Sequence, residues 1–264
     1  MKLSVSNIAW KSSDQNRAMQ LLKENGIKYV DVAPTLLSDS IKELDVDAVL
    51  NYHKTFDIKI AAMQSLLFPF PNVSLFDNET SKTMLMSYLR TIFALAQKLK
   101  VKNLVFGSPK NRYVNDIEAF SVERAIDIFR EIADLAKQHD CVICFEANPK
   151  EYGCNFIIST EEAIEFVRLV DHDGLKLNLD ISTVVLNDES LELILQDNID
   201  IIQHIHLSSP FIKDILSMDN DRICGLLKKY KYDGYLTMEC KFAGDDALVS
   251  LKSNIECFVE RYGS

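Results

Sequence analysis

Leu175-Lys-Leu-Asn-Leu-Asp180 alternates strictly, with three leucines on one side of an extended chain and Lys176, Asn178 and Asp180 on the other. The leucines suit a layer of helices outside a sheet, which points Asp180 to the interior at the last position of the strand. Apolar or β-branched runs of similar length recur at Lys2 to Ile8, Lys28 to Val32, Ile58 to Met63, Lys102 to Gly107, Val142 to Glu146, Ile201 to Leu207 and Tyr235 to Glu239. Between them lie segments of helical period such as Asp14 to Asn25, Ser81 to Leu99, Val122 to Gln138, Thr160 to Val170 and Asp245 to Arg261. This alternation predicts βαβ units and a parallel sheet. Eight units fit into 264 residues without a Pro/Gly/Ser-rich linker or a charge block. Closure into one α/β domain over residues 1–264, a single (β/α)8 TIM barrel, is therefore favoured over an open doubly wound sheet.

Punctuation supports the same division. Thr160 followed by Glu161 and Glu162 marks a helix start, and Asn25-Gly26 and Asp173-Gly174 mark stops as C-cap glycines would. The longest loop, from Gln64 to about Glu79, follows the third strand and is read either as a lid over the barrel mouth or as a variable surface loop.

With 39 acidic against 29 basic residues the formal charge is -10, a field that repels phosphate backbones, so no nucleic-acid partner is expected. The longest uncharged stretch, Ile60 to Phe76, contains Pro69, Pro71, Gln64, Ser65, Asn72 and Ser74, which argues against a membrane span. The N-terminal run lacks the apolar core of a signal peptide, and the six cysteines show no framework spacing. A cytoplasmic protein with reduced thiols is expected, and Cys141 and Cys144 are not expected to pair although they form a CxxC.

Charged residues at the ends of buried parallel strands require a reason. The fifth strand ends Cys144-Phe-Glu146, the sixth at Asp180, the seventh reads Gln203-His-Ile-His206 and the eighth Tyr235-Leu-Thr-Met-Glu239. The period of two places Asp180, His204 with His206, and Thr237 with Glu239 on interior faces. Three carboxylates and an imidazole would then converge at one mouth, and a divalent cation would remove their repulsion. Taken singly, each residue could instead cap its strand or form a salt bridge. Three hard oxygens with one imidazole nitrogen suit one divalent ion, Mn²⁺, Zn²⁺, Co²⁺ or Mg²⁺, with positions open for substrate.

These strand ends resemble the xylose isomerase-like TIM-barrel superfamily, which includes sugar and sugar-phosphate isomerases and epimerases, inosose dehydratases and endonuclease IV. Ser6-Asn-Ile-Ala-Trp10, Met63-Gln-Ser65, Asn103-Leu-Val-Phe-Gly-Ser-Pro-Lys-Asn-Arg112 and Phe145-Glu-Ala-Asn148 look like a group of sugar-phosphate isomerase/epimerase-like proteins within it. In the epimerase branch the resemblance implies a metal held by Glu146, Asp180, His206 and Glu239. Two positions depart from that branch. Thr183 stands where its ketose 3-epimerases carry a substrate-contacting His, and Ile212, followed by Lys213, stands where they carry an Arg. The trinuclear site of endonuclease IV needs more histidines than the five present.

The implied chemistry is isomerisation or epimerisation of a sugar or sugar phosphate by proton abstraction next to a carbonyl, through a metal-stabilised enediolate with Glu146 and Glu239 as the acid/base pair. A metal-dependent dehydratase and a non-catalytic sugar-binding barrel are the alternatives. The candidate substrate contacts are Trp10, Gln64, Asn148, His204 and Lys241, with Lys110 and Arg112 as candidates for an anionic group; Trp10 and His204 serve equally as core residues. The expected partner is a small carbohydrate, and pairing into a homodimer through the outer helices is possible for such a barrel.

Overall fold

The computed structural model describes every residue except Asp39, Asp245 and Ser264. Eight parallel strands close in sequence order: β1 (Lys2–Ser6), β2 (Tyr29–Val32), β3 (Lys59–Met63), β4 (Asn103–Phe106), β5 (Val142–Glu146), β6 (Leu175–Asp180), β7 (Ile202–Leu207) and β8 (Tyr235–Met238), with β8 paired to β1. Around them lie α1 (Gln15–Glu24), α2 (Val46–Thr55), α3 (Glu79–Leu99), α4 (Val122–Gln138), α5 (Thr160–Val170), α6 (Ile181–Leu186), α7 (Leu191–Asn198), α8 (Asn220–Lys229) and α9 (Ala247–Tyr262). The molecule is a (β/α)8 TIM barrel. No helix among the described residues is long and apolar enough to cross a membrane.

The core is the layer between strands and helices. Leu175, Leu177 and Leu179 are buried on the outer face of β6, as their alternation with polar residues requires. Beside them Phe106, Phe129, Phe145 and Phe166 pack in edge and tilted contacts with centroids 5.1–5.3 Å apart. Such a side chain contributes about 2–3 kcal/mol when fully buried. α4 supplies its part through the periodic stripe Ala125, Ile128, Phe129, Ile132 and Ala136, started by Ser121, whose hydroxyl accepts from the Arg124 amide.

Two register shifts set the phase of the polar interior. Between β6 and β7, Leu177 opposes Ile202 but Asn178 opposes His204, so Gln203 is an extra residue on β7. One inserted residue exchanges the faces of a strand. His204 and His206 thereby share the inner face with Asn178 and Asp180. A second shift, at Val30/Asp31 against β3, brings Asp31 opposite Ala62.

Some expectations need correction. Gly174 is not a helix cap: α5 ends at Val170 and is capped by Asp171, whose φ of 46° makes the left-handed turn. Gly174 is required instead by packing, because a Cβ there would lie 2.5 Å from the Ala133 carbonyl oxygen of α4. The expected start of the last helix, Asp245, lies outside the described residues. Cys141 and Cys144 are free and buried, and burial pushes both thiols up to about 12. The loop after β3 is anchored at several points, although Phe68 at its outer side is 73% exposed. It buries Leu66, Leu67 and Leu75, and Asn111 donates to the carbonyls of Phe70 and Val73 at 2.6 and 2.8 Å, fixing it as a wall.

Candidate active site

At the carboxyl ends of the strands a cavity of about 260 Å³ is lined by Glu146, Asp180, His206 and Glu239, together with Ile8, Gln64, Gly107, Asn148, Tyr152, Ser182, Ser208 and Ile212. Grooves of larger volume lie on the outer surface, one of about 470 Å³ between α6 and α8, without buried carboxylates converging on an imidazole. His206 forms the floor, being 1% exposed. Its Nδ1 lies 3.1 Å from Glu146 Oε2 and 3.3 Å from Glu239 Oε2, yet neither ring nitrogen makes an aligned hydrogen bond.

Each carboxylate is held from the side. Asn178 donates to Glu146 Oε2 at 2.5 Å and Asn148 to Oε1 at 3.2 Å. Gly107 lets the Glu146 side chain lie against the end of β4, since a Cβ there would stand 2.6 Å from Oε1. Gln64 donates to Glu239 Oε1 at 2.6 Å. Asp180 ends β6 and caps α6, accepting from the Ser182 and Thr183 amides, the Thr183 hydroxyl and the Ser208 hydroxyl. Thr183, at the first departure from the epimerase pattern, therefore steadies Asp180.

Electrostatics follow from crowding. Burial, then Glu146 and Glu239, push the Asp180 carboxyl up to about 7 against the pull of Ser208 and His206. Burial opposes a charged His206, but Glu239, Asp31 and Glu146 overcome it and raise the imidazole well above its ordinary value. Burial would also raise Glu239, yet His206 and the Gln64 amide outweigh it and hold it below the usual range. Glu146 and Glu239 beside His206 Nδ1, with Asp180 lining the same cavity, form a donor set that a divalent cation fits in charge and chemistry.

Among the described residues the group whose ligand atoms all lie within 4.8 Å of one another is Asp31, His204 and His206, whereas the Glu146, Asp180, His206 and Glu239 set is more widely spread. The Asp31 group lies beneath the cavity and is closed. Asp31 Oδ2 is 2.8 Å from His204 Nε2, Oδ1 accepts from Ser4 at 2.7 Å, and Asp31 and His204 are wholly buried.

The other expected contacts divide. Gln64 and Asn148 reach the cavity. Trp10 does not: a 3₁₀ turn at Asn7–Ala9 swings it into the core, where its indole donates to Gln15 at 2.6 Å, and Ile8 lines the cavity instead. His204 lies below the floor. Lys110 and Lys241 are exposed and do not line the cavity. Arg112 is not available to an anion; it is fully buried and donates to the carbonyls of Gly107, Phe156, Ile157 and Glu146. Tyr152, Ser208 and Asp31 escaped the sequence reading, and Asn178 appears there only on the polar face of its strand, without a role. Asp31 carried a usable signal, an acid within the apolar run Tyr29-Val-Asp-Val32, whereas Tyr152 and Ser208 sit in loops whose direction no periodicity gives.

A family model described as the xylose isomerase-like TIM barrel matches residues 19–258. Among solved structures the chain is similar to 3-keto-D-glucoside 4-epimerase, YcjR, from E. coli in its apo form (15% identity, TM-score 0.80, 98% of this chain and 99% of that one). It is also similar to D-psicose 3-epimerase in the presence of D-fructose (14%, 0.79, 100% of both chains) and to the IOLI protein with a binding zinc atom (18%, 0.76, 100% and 98%). No curated protein sequence matches the chain. With the family match extending over residues 19–258 of a closed eight-stranded barrel, the chain belongs to the xylose isomerase-like TIM-barrel family.

Proposed function

We propose that the protein is a sugar isomerase or epimerase that moves a proton at the carbon next to a carbonyl, using a divalent ion held by Glu146, Asp180, His206 and Glu239. The observation that carries this reading is the approach of two carboxylates to one orphaned imidazole nitrogen, at 3.1 and 3.3 Å, on the floor of a cavity. When bound, the ion supplies positive charge to the substrate oxygens flanking the carbon that loses its proton.

The chain's own residues do the rest. Glu146, fixed by Asn178 and Asn148, and Glu239, fixed by Gln64, are the two groups placed to take and return a proton. Transfer out by one and back by the other inverts a centre; use of one alone moves the carbonyl. The solved relatives named for epimerases of keto sugars favour the first outcome. Tyr152 and Ser182, whose oxygens are 2.6 Å apart, offer hydroxyls to the sugar.

Charge selects among substrates. No Lys or Arg lines the cavity among the described residues, and Arg112 spends its donors on backbone carbonyls. The site therefore suits a neutral monosaccharide better than a sugar phosphate. Incubation in D₂O with zinc or manganese and a panel of keto sugars, free and phosphorylated, tests this. Deuterium should enter next to the carbonyl of a neutral sugar, and Glu146→Gln should slow entry on the order of a thousandfold. Absence of exchange across the panel would leave a sugar-binding barrel, and loss of water from the product would indicate a dehydratase.

A further inference from the structure

Phe211 and Ile212, in the turn after β7, both hold left-handed backbone angles, with φ of 64° and 49°. Neither side chain suits that region, and for a β-branched isoleucine it is a genuine outlier. Such a conformation persists only where its surroundings over-determine it, and three hydrogen bonds do so here. The Phe211 amide donates to the Tyr152 hydroxyl at 2.8 Å, the Ile212 amide donates to the Ser209 carbonyl at 3.0 Å, and the Ile212 carbonyl accepts from the Lys241 amide at 2.8 Å. The Phe211 ring also stands edge-on to that of Tyr152, with centroids 5.7 Å apart.

The turn brings Ile212 to the cavity and leaves Phe211 outside it, 53% exposed. Barrel closure makes β7, β8 and β1 neighbours. Along that arc the cavity lining, among the described residues, is Ser208, Ile212, Glu239 and Ile8. Ser208 is buried and gives its hydroxyl to Asp180, so at the rim Glu239 is flanked by two partly buried isoleucines. The polar side chains Ser65, Asn148, Tyr152 and Ser182 line the cavity from the loops after β3, β5 and β6. With the reacting carbons on the floor beside His206, the tail of the sugar comes to the rim. A hydroxyl set against the isoleucines there would lose water without gaining a partner, whereas a methyl group would not. We propose that Ile8 and Ile212 are specificity-determining residues that select a ketose ending in a methyl group, a 6-deoxy sugar, and that the strained turn serves to set Ile212 in this wall. This rests on the proton-transfer site proposed above, which puts the carbonyl end of the sugar on the floor.

The test is calorimetric titration of the whole protein, in zinc, with ketohexoses of the D and L series and with their 6-deoxy counterparts. In at least one pair the wild type should bind the 6-deoxy sugar about tenfold tighter than its parent. Ile212→Asn and Ile8→Thr, which each put a polar group in the wall, should bring that ratio to within about threefold of unity. Asparagine enters the left-handed region readily, so Ile212→Asn should melt no lower than wild type although it loses an apolar side chain. Phe211→Asn relieves the neighbouring backbone without altering the cavity lining, and it should keep the wild-type ratio. Ile8→Thr leaves the turn intact and decides the matter if Ile212→Asn does not fold. The proposal is overturned if the wild type binds neither sugar of any pair, if it binds the parent as tightly as the 6-deoxy sugar in every pair, or if both wall variants keep the wild-type ratio. A lower melting temperature for Ile212→Asn, or loss of the ratio in Phe211→Asn, would overturn the role given to the turn. Deuterium exchange into the bound sugar is read separately: the expected preference in binding without any exchange would keep the wall and refute the isomerase reading.

Discussion

His206 and Asp180 link the site to pH. In the protein without metal both are raised, Asp180 from 3.8 to about 7 and His206 well above 6.5. The folded chain then binds more protons than the unfolded one, so stability falls as pH rises. For Asp180 the loss runs from about pH 4 to about 7; for His206 it starts near 6.5 and continues upward. Asp31 and Glu239 are held below their usual ranges, so their contribution falls near and below the ordinary carboxylate pKa and adds nothing between pH 5.5 and 8. The chelated protein should melt several degrees lower at pH 8 than at pH 5.5 by circular dichroism. Saturating zinc should remove the difference, because metal binding takes the place of the protons. A flat or rising melting temperature without metal would contradict this assignment of charge. Asp180, His206, Glu146 and Glu239 were legible in the sequence because a buried strand that ends on an ionisable group breaks its own pattern. Asp31 was not singled out, since it lies within its strand instead of at a strand end.

At the scale of elements, Arg112 joins the β4 loop to β5 and to the loop at Phe156 and Ile157. A guanidinium wholly removed from water, with carbonyl oxygens as acceptors and the Phe145 ring 5.0 Å away, is a structural cation. Arg112→Ala should cost about 3–5 kcal/mol in urea denaturation and loosen Glu146 through its carbonyl. Lys110→Ala, two residues earlier and exposed, should stay within about 0.5 kcal/mol. Equal costs would mean that Arg112 is not the tie between these loops. The sequence could not separate the two residues, because a loop has no period from which to read direction and both carry the same charge. The same limit applies to Trp10, which a 3₁₀ turn carries away from the mouth, and to Gly174, whose glycine serves contact with α4 where a helix stop was expected. Elements with a strict period were read well: β5, β6, α4 and α5 have the bounds that their patterns predict.

For the whole molecule, closure of the sheet makes distant segments neighbours. Gln64 and Glu239, 175 residues apart, meet across the mouth at 2.6 Å, and Asp31 meets His204 across 173 residues. Alternation of strands and helices was sufficient to predict that closure, and closure in turn brings the four strand ends together. Period alone does not fix phase, which depends on the extra residue Gln203 in β7. Closure gathers the four charged ends at one mouth, and the proposed cation would offset the charge collected there. Elemental analysis of purified wild type and Glu239→Gln, loaded with zinc or manganese and freed of excess at matched purity, tests that claim most directly. The account predicts close to one divalent ion retained per wild-type chain and a small fraction of that in the variant, whereas a wild-type protein that retains none, or a variant that retains as much, would contradict it.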